Sequence, residues 1–239
     1  MTKILFICYG NICRSPTAEF IMKDLVDKAG LKGDFEIASA ATSDEELGNG
    51  VYAPSRRLLA AHGIDCAGKT ARQINRGDYR HFDLIIGMDA QNMRYLRRYY
   101  DGDPEGKIHN LLDYTGTVGE EIADPWYTRD FERAWDEIYA GCTALLGTLT
   151  GAKLIDFSRC RSRDELYAEL ARKLAWESWY GHNLDALWDV LTGMPLGAGR
   201  YIIIPPDNGA DEEICKYASR IKALFRSAKR LYEGDAAQN

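Results

Sequence analysis

This 239-residue chain lacks most of the features that assign a sequence to a class at sight. No apolar run approaches the roughly 20 residues needed to cross a bilayer. The N-terminal apolar stretch, Lys3 to Cys8, is too short for a signal peptide, and no small-residue cleavage site follows it. A cytoplasmic location with no membrane partner is therefore expected. The six cysteines, at 8, 13, 66, 142, 160 and 215, contain no Cys-x2-Cys pair, and the four histidines, at 62, 81, 109 and 182, do not cluster. Zinc-site spacing is absent, and neither a metal nor another cofactor is expected. In a reducing compartment such thiols are mostly free, catalytic or metal-bound. Basic residues are in deficit, with a net charge of −6, so a nucleic-acid partner is not expected. There is no Gly-x4-Gly-Lys loop for a nucleoside triphosphate, no internal repeat and no low-complexity segment.

What is present is ordinary globular material, 46% hydrophobic and 28% charged. At roughly 150 residues per domain, it suffices for one large domain or two small ones. Short apolar runs read as buried strands at Lys3–Cys8, Phe35–Ser39, Asp83–Met88 and Lys107–Leu111. They alternate with helical spacing over Pro16–Ala29, Ser55–His62, Gln91–Tyr99 and Phe131–Leu149, with Ser15 as the cap of the first helix and Gly30 as its stop. This alternation predicts an α/β fold, a parallel sheet covered on both faces. After the small-residue break at Thr148–Gly151 the pattern restarts. Strands are read at Lys153–Phe157 and Arg200–Ile204. Helices are read from the Ser162–Glu165 capping box to Leu174, over Leu184–Leu191 behind Asn183, and over Glu212–Tyr232. The expected domains are 1–150 and 152–239. The first 150 residues hold 17 Lys and Arg against 23 Asp and Glu, and the remainder 13 of each, so the acidity belongs to the first domain.

The most informative segment is Cys8-Tyr9-Gly10-Asn11-Ile12-Cys13-Arg14-Ser15-Pro16, where a strand gives way to a helix. Backbone N–H groups converge at such a junction, and the helix dipole adds positive character, which makes an anion-binding nest. The same field favours a thiolate at Cys8. Arg14 offers a planar fork matching two oxygens of a phosphoryl group. Ser15 can donate to the thiolate, Gly10 permits close backbone approach, and Asn11 tolerates a left-handed conformation. A nucleophile at the base of a phosphate cradle points to phosphoryl transfer through a phosphocysteine. A displaced phenolate needs a proton, and Asp124-Pro125-Trp126-Tyr127 supplies a candidate donor. Pro125 holds Asp124 extended, while Trp126 and Tyr127 offer an aromatic wall.

With these residues in view, 1–149 resembles the low-molecular-weight protein tyrosine phosphatases. The resemblance is carried by Cys8–Pro16, Ser39-Ala-Ala-Thr42, Ala71-Arg-Gln-Ile74, Phe82–Asp89 and Asp124-Pro125. It implies a four-stranded parallel sheet with helices on both faces. It also implies Cys8 as nucleophile, Arg14 as phosphate clamp and Asp124 as general acid and later base, with Asn11 and Ser15 holding the loop. Cys13 matches the family's second cysteine, which can pair reversibly with Cys8. Ile12 is the residue type of the tyrosine-directed branch, whereas the arginine-directed branch carries Thr there. The implied substrate is a phosphotyrosine protein or a small aryl phosphate. Glu45 stands where the family often has an aromatic at the cleft mouth and would repel acidic phosphopeptides. A related activity, thiol-dependent arsenate reduction, uses further cysteines close to the first, and phosphoarginine hydrolysis is the other alternative.

The second domain resembles barstar-type ribonuclease inhibitors, most densely over Trp179–Gly193. The resemblance implies a small α/β fold and a protein partner, contacted through Trp179, Asp185 and Asp189. The two acids lie four apart on one helical face. Against inhibition stand the zero net charge of this half, His182 and Ser227 where the family has acids, and a missing or degenerate final strand. A purely structural role for the motif is the alternative.

Overall fold

The computed structural model describes residues 1–175, 181–193 and 199–236, with side chains to 231. The chain divides into two compact units, Met1–Thr148 and Leu149–Asn239. The first is built on β1 (Thr2–Cys8), whose residues Ile4 to Ile7 are all fully buried. A strand covered on both faces carries a continuous apolar run rather than an alternation, and this marks β1 as central in a parallel sheet. It pairs in parallel with β2 (Phe35–Ala41) on one side and β3 (Leu84–Gly87) on the other. β4 (Ile108–Asn110) completes the order β2-β1-β3-β4, again in parallel. Leu5 and Ile7 join Ile85, Leu96, Tyr100 and Ile108 in one core cluster. Ile4 and Phe6, out of phase by one residue, face the opposite layer. α1 (Arg14–Lys28) packs on β1 and β2, and α4 (Ala90–Tyr99) on β3 and β4.

The remaining helices of this unit are α2 (Ala53–Ala61), α3 (Arg76–His81), α5 (Pro125–Thr128) and α6 (Phe131–Thr150). α3 and α5 have no counterpart in the sequence reading. Only Tyr79 among the apolar side chains of α3 is buried, so no hydrophobic period announces that helix. It is specified by its cap instead. Asn75 Oδ1 accepts the Gly77 N–H at 2.8 Å, and Asp78 Oδ2 accepts the Asn75 N–H at 2.8 Å. One expectation is corrected at α1. The helix opens at Arg14 behind Cys13, with no side-chain cap, so Ser15 lies inside the first turn rather than before it. Its hydroxyl is committed elsewhere, to Cys8 and Asn11. Pro16 is tolerated because the first-turn N–H groups have no intrahelical partner.

In the second unit, β5 (Lys153–Asp156) pairs in parallel with β6 (Tyr201–Ile204). α7 (Arg163–Leu174), α8 (Leu184–Gly193) and α9 (Glu212–Ala236) accompany them. The core includes Ile155, Phe157, Leu166, Leu170, Leu187, Leu191, Ile203 and Ile221. Ser162 caps α7 by accepting the Glu165 N–H, while the Glu165 carboxylate reaches back past the cap to the Arg161 N–H at 2.5 Å. Asn183 caps α8 through the Ala186 N–H at 2.8 Å. α9 runs four residues beyond its expected end, and the described residues of this unit contain two strands only.

Gly141 sits mid-way along α6, where Ala would ordinarily favour the helix by about 1 kcal/mol. A Cβ there would meet Leu111 Cγ at 2.6 Å, and Leu111 is fully buried. Gly141→Ala is therefore expected to destabilise the protein, by about 1–3 kcal/mol, read as a lower denaturant midpoint. A raised midpoint would show that Leu111 can retreat.

Candidate active site

The C-terminal ends of β1, β2 and β3 deliver Cys8, Ala41 and Gly87 to one edge of the sheet. Ligands of parallel α/β sheets are bound at this edge. Cys8 lies at the base of the loop 8–14. Asn11 takes the left-handed conformation at φ 55° and is 1% exposed. Three hydrogen bonds hold it. Its Oδ1 accepts the Arg72 N–H at 3.2 Å, and its Nδ2 donates to Ser15 Oγ at 2.9 Å and to Ser39 Oγ at 2.7 Å.

These bonds fix where each proton points. Ser39 donates to Glu19 Oε2 at 2.5 Å and so accepts from Asn11. Ser15 also accepts from Asn11, so its own proton has two destinations: Cys8 Sγ at 3.0 Å, or the Ala40 carbonyl at 3.5 Å. The nearer partner is the sulfur. Glu19 is 4% exposed and anchors the far end of the chain. Its carboxylate meets Lys69 at 2.7 Å and Lys23 at 2.5 Å. Burial alone would raise the Glu19 carboxyl, but Lys69, Lys23 and Ser39 outweigh it and hold it below the usual range.

Arg14 is 3% exposed. Its Nη1 donates to Asp89 Oδ2 at 2.5 Å and to the Ile122 carbonyl at 2.9 Å, and its Nη2 to Asp124 Oδ2 at 2.6 Å. Burial opposes the charge on Arg14, but Cys8, Asp124 and Asp89 overcome it and raise the guanidinium further. Asp124 has φ −74° and ψ 114°, the extended conformation imposed by the following proline, and it caps α5 through the Trp126 N–H at 3.0 Å. Cys13 is buried beside Cys8, and both are free thiols. Burial, then the charge of Cys8, pushes the Cys13 thiol up to about 12, with Ser55 opposing, so it stays protonated near neutrality.

Cys8, Tyr9, Gly10, Ile12, Cys13, Arg14, Glu45, Asp124, Trp126 and Tyr127 line one pocket of about 140 Å³. Asn11 and Ser15 stand behind it, buried. Glu45 accepts a hydrogen bond from the Tyr9 hydroxyl at 2.8 Å, which raises the Tyr9 phenol. In the second unit, Asp185 and Asp189 are exposed on α8, and Leu187, Val190 and Leu191 are buried. Trp179 lies outside the described residues. Among the described residues, no group of three or more His, Cys, Asp or Glu could hold a metal ion, and no helix is long and apolar enough to cross a membrane.

The sequence reading assigned no role to Asp89, Glu19, Ser39, Lys69 or Glu46. Asp89 has a legible signal: it follows β3 and caps α4, accepting the Asn92 N–H at 2.7 Å, at the same sheet edge as Cys8. Glu19 lies one turn beyond Ser15 on a helix face that buries Ala18, Ile21 and Met22. A lone acid there demands a partner. Glu46 also lines the pocket, and Tyr52 packs against Trp126 with centroids 5.1 Å apart and the rings tilted by 57°.

A cysteine–arginine loop at the edge of a parallel sheet points to one class, and comparison with known proteins identifies it. The family model described as low molecular weight phosphotyrosine protein phosphatase matches residues 3–154, and the chain belongs to that family. A second model, Barstar (barnase inhibitor), matches residues 152–238, making the chain a two-domain fusion. Among relatives, the low molecular weight protein-tyrosine-phosphatase YfkJ of Bacillus subtilis is 38% identical over 154 residues, 64% of this chain and 99% of that protein. Its crystal structure superposes with a TM-score of 0.62, covering 63% of this chain and 96% of that one. Low molecular weight phosphotyrosine protein phosphatase 1 of Drosophila melanogaster is 40% identical over 152 residues, 60% of this chain and 94% of that protein. The structure of a drosophila arginine phosphatase is 32% identical, with a TM-score of 0.58, covering 62% of this chain and 98% of its own.

The Glu19 anchor has a pH signature. Its folded value lies below its unfolded one, so its stabilisation is complete at neutral pH and is lost as pH falls through the lowered folded value. Glu19→Gln is expected to cost about 3 kcal/mol at pH 7 and to flatten the acid limb of stability, measured by denaturant unfolding across pH. An unaltered acid limb would rule Glu19 out as its source.

Proposed function

We propose that residues 1–150 form a phosphatase domain that hydrolyses phosphotyrosine, in proteins or as small aryl phosphates. The observation carrying this reading is the convergence of Cys8, Arg14 and Asp124 on one small pocket. An incoming phosphoryl group takes over the Arg14 Nη2 donor now bonded to Asp124, and the loop amides take the remaining oxygens. This frees the Asp124 carboxyl to face the ester oxygen. The Cys8 thiolate attacks phosphorus, the P–O bond to the phenol breaks, and the leaving oxygen takes its proton from Asp124. Water then attacks the phosphocysteine, giving its proton to Asp124 and releasing inorganic phosphate and the thiolate. Asp89 and the Ile122 carbonyl hold the guanidinium while Asp124 changes partner.

Ile12 and Trp126 both line the pocket, and apolar and aromatic walls suit a planar aryl ester better than the phosphoguanidine suggested by the drosophila arginine phosphatase. Purified full-length protein is expected to hydrolyse para-nitrophenyl phosphate in EDTA, and Cys8→Ser to abolish turnover. Asp124→Ala should lower kcat by about 10²-fold or more, most for esters with basic leaving groups. Activity surviving in Cys8→Ser would remove Cys8 as nucleophile.

For residues 152–239 the reading is a protein-binding domain. It is carried by the exposed acids Asp185 and Asp189 on α8, above a helix face buried in the core. Such a face complements a basic surface. Barnase, the nuclease that gives the matched family its description, is the natural probe. Full-length protein is expected to bind it, and Asp185→Ala/Asp189→Ala to weaken binding at least tenfold. Failure to bind barnase would leave the structural role of the motif as the better account.

A further inference from the structure

The charged residues lining the pocket are Arg14, Glu45, Glu46 and Asp124. Arg14 is already bonded to both Asp89 and Asp124. The rim thus presents uncompensated negative charge to a substrate that is itself an anion. Among the described residues neither Glu45 nor Glu46 is ion-paired with Lys or Arg. Phosphate capture belongs to the floor of the pocket, so the rim acts on whatever flanks the phosphate.

The carboxylates are held in place beforehand. The Thr42 N–H bonds the Cys8 carbonyl at 3.0 Å, and the Ser43 N–H bonds the Tyr9 carbonyl at 2.9 Å, stitching the rim loop to the phosphate loop. Ser43 Oγ accepts the Glu45 N–H at 3.1 Å, and Tyr9 fixes the Glu45 carboxylate. Glu46 accepts from Asn49 Nδ2 at 2.7 Å, and its stem lies against Gly10 so closely that a Cβ there would meet Glu46 Cγ at 3.0 Å. Little ordering remains to be done when a cation arrives. On the other wall stand Trp126 and the exposed Tyr127, aromatic faces that attract cations. Arg129 sits 5.6 Å over the Trp126 ring and does not line the pocket.

We propose that Glu45 and Glu46 are specificity-determining residues that select phosphotyrosine segments flanked by Lys or Arg and reject those flanked by acids. This inference rests on the phosphatase reading above and names the substrate class for the same site. A flanking ammonium or guanidinium lies between the fixed carboxylates and the aromatic wall, and an acidic flank meets like charge.

The test compares two phosphotyrosine peptides, identical except for Lys or Glu at the flanking positions, on full-length protein. The readout is the ratio of their kcat/KM values within each protein sample, which is insensitive to the fraction of active enzyme. At an ionic strength of about 0.02 M the basic peptide should be preferred about tenfold or more, and at about 0.5 M the ratio should fall toward one. Glu45→Gln/Glu46→Gln should bring the low-salt ratio toward one. A wild-type ratio at or below one, or an unchanged ratio in the double variant, overturns the proposal. Para-nitrophenyl phosphate, which has no flanks, separates the two layers: no turnover of it would overturn the phosphatase reading and this selection with it.

Discussion

The first unit is organised around one buried cation. Arg14 is nearly inaccessible to water, and a charge in that position is tolerated only when it is paired and hydrogen-bonded. Asp89 arrives from the end of β3, and the Ile122 carbonyl and Asp124 from the segment before α6, while Cys8 at the end of β1 acts on it through charge alone. Parts of the chain 75 and 110 residues away from Arg14 are thereby tied to one side chain. The sheet order does the rest, because β1 between β2 and β3 brings those ends together. The clamp is both the structural keystone of this edge and, in the proposed reaction, the group that exchanges a carboxylate for a phosphoryl oxygen.

A second constraint runs behind the loop. The chain of hydrogen bonds from Glu19 through Ser39 and Asn11 to Ser15 has one consistent set of donors. Its polarity comes from a carboxylate that accepts only, and it ends in the Ser15 hydroxyl, 3.0 Å from the Cys8 sulfur. Burial without solvent relaxation makes such a chain stiff. It also explains why Asn11 accepts a left-handed backbone: three hydrogen bonds reward a conformation that costs a non-glycine residue about 1 kcal/mol.

Much of this was legible in the sequence, and the reasons are specific. β1 announced itself by its unbroken apolar run, and the loop after it by the coincidence of Cys8, Arg14 and Pro16 at a strand–helix junction. Asp124 was visible because proline fixes the conformation that precedes it. What escaped were residues whose meaning is purely three-dimensional. Asp89 and Arg14 are far apart along the chain, and nothing local couples them. Glu19, Ser39 and Lys69 come from a helix, a strand and a loop and acquire a role only through burial. Ser15 was read as a cap because its position and type suit one, yet its hydroxyl is spent on the sulfur. Short α3 and α5 are set by capping groups rather than by hydrophobic period, and no periodic reading detects such helices.

The contact between Gly10 and the stem of Glu46 carries a further consequence. The loop that would grip phosphate and the loop that frames the cleft mouth are stitched by backbone hydrogen bonds and then pressed together at the one position without a side chain. They form a single mechanical part. If the rim selects as proposed, its selectivity is not a detachable cassette: exchanging the rim for another sequence would drag on the loop beneath it, whereas side-chain replacement on the same backbone would not.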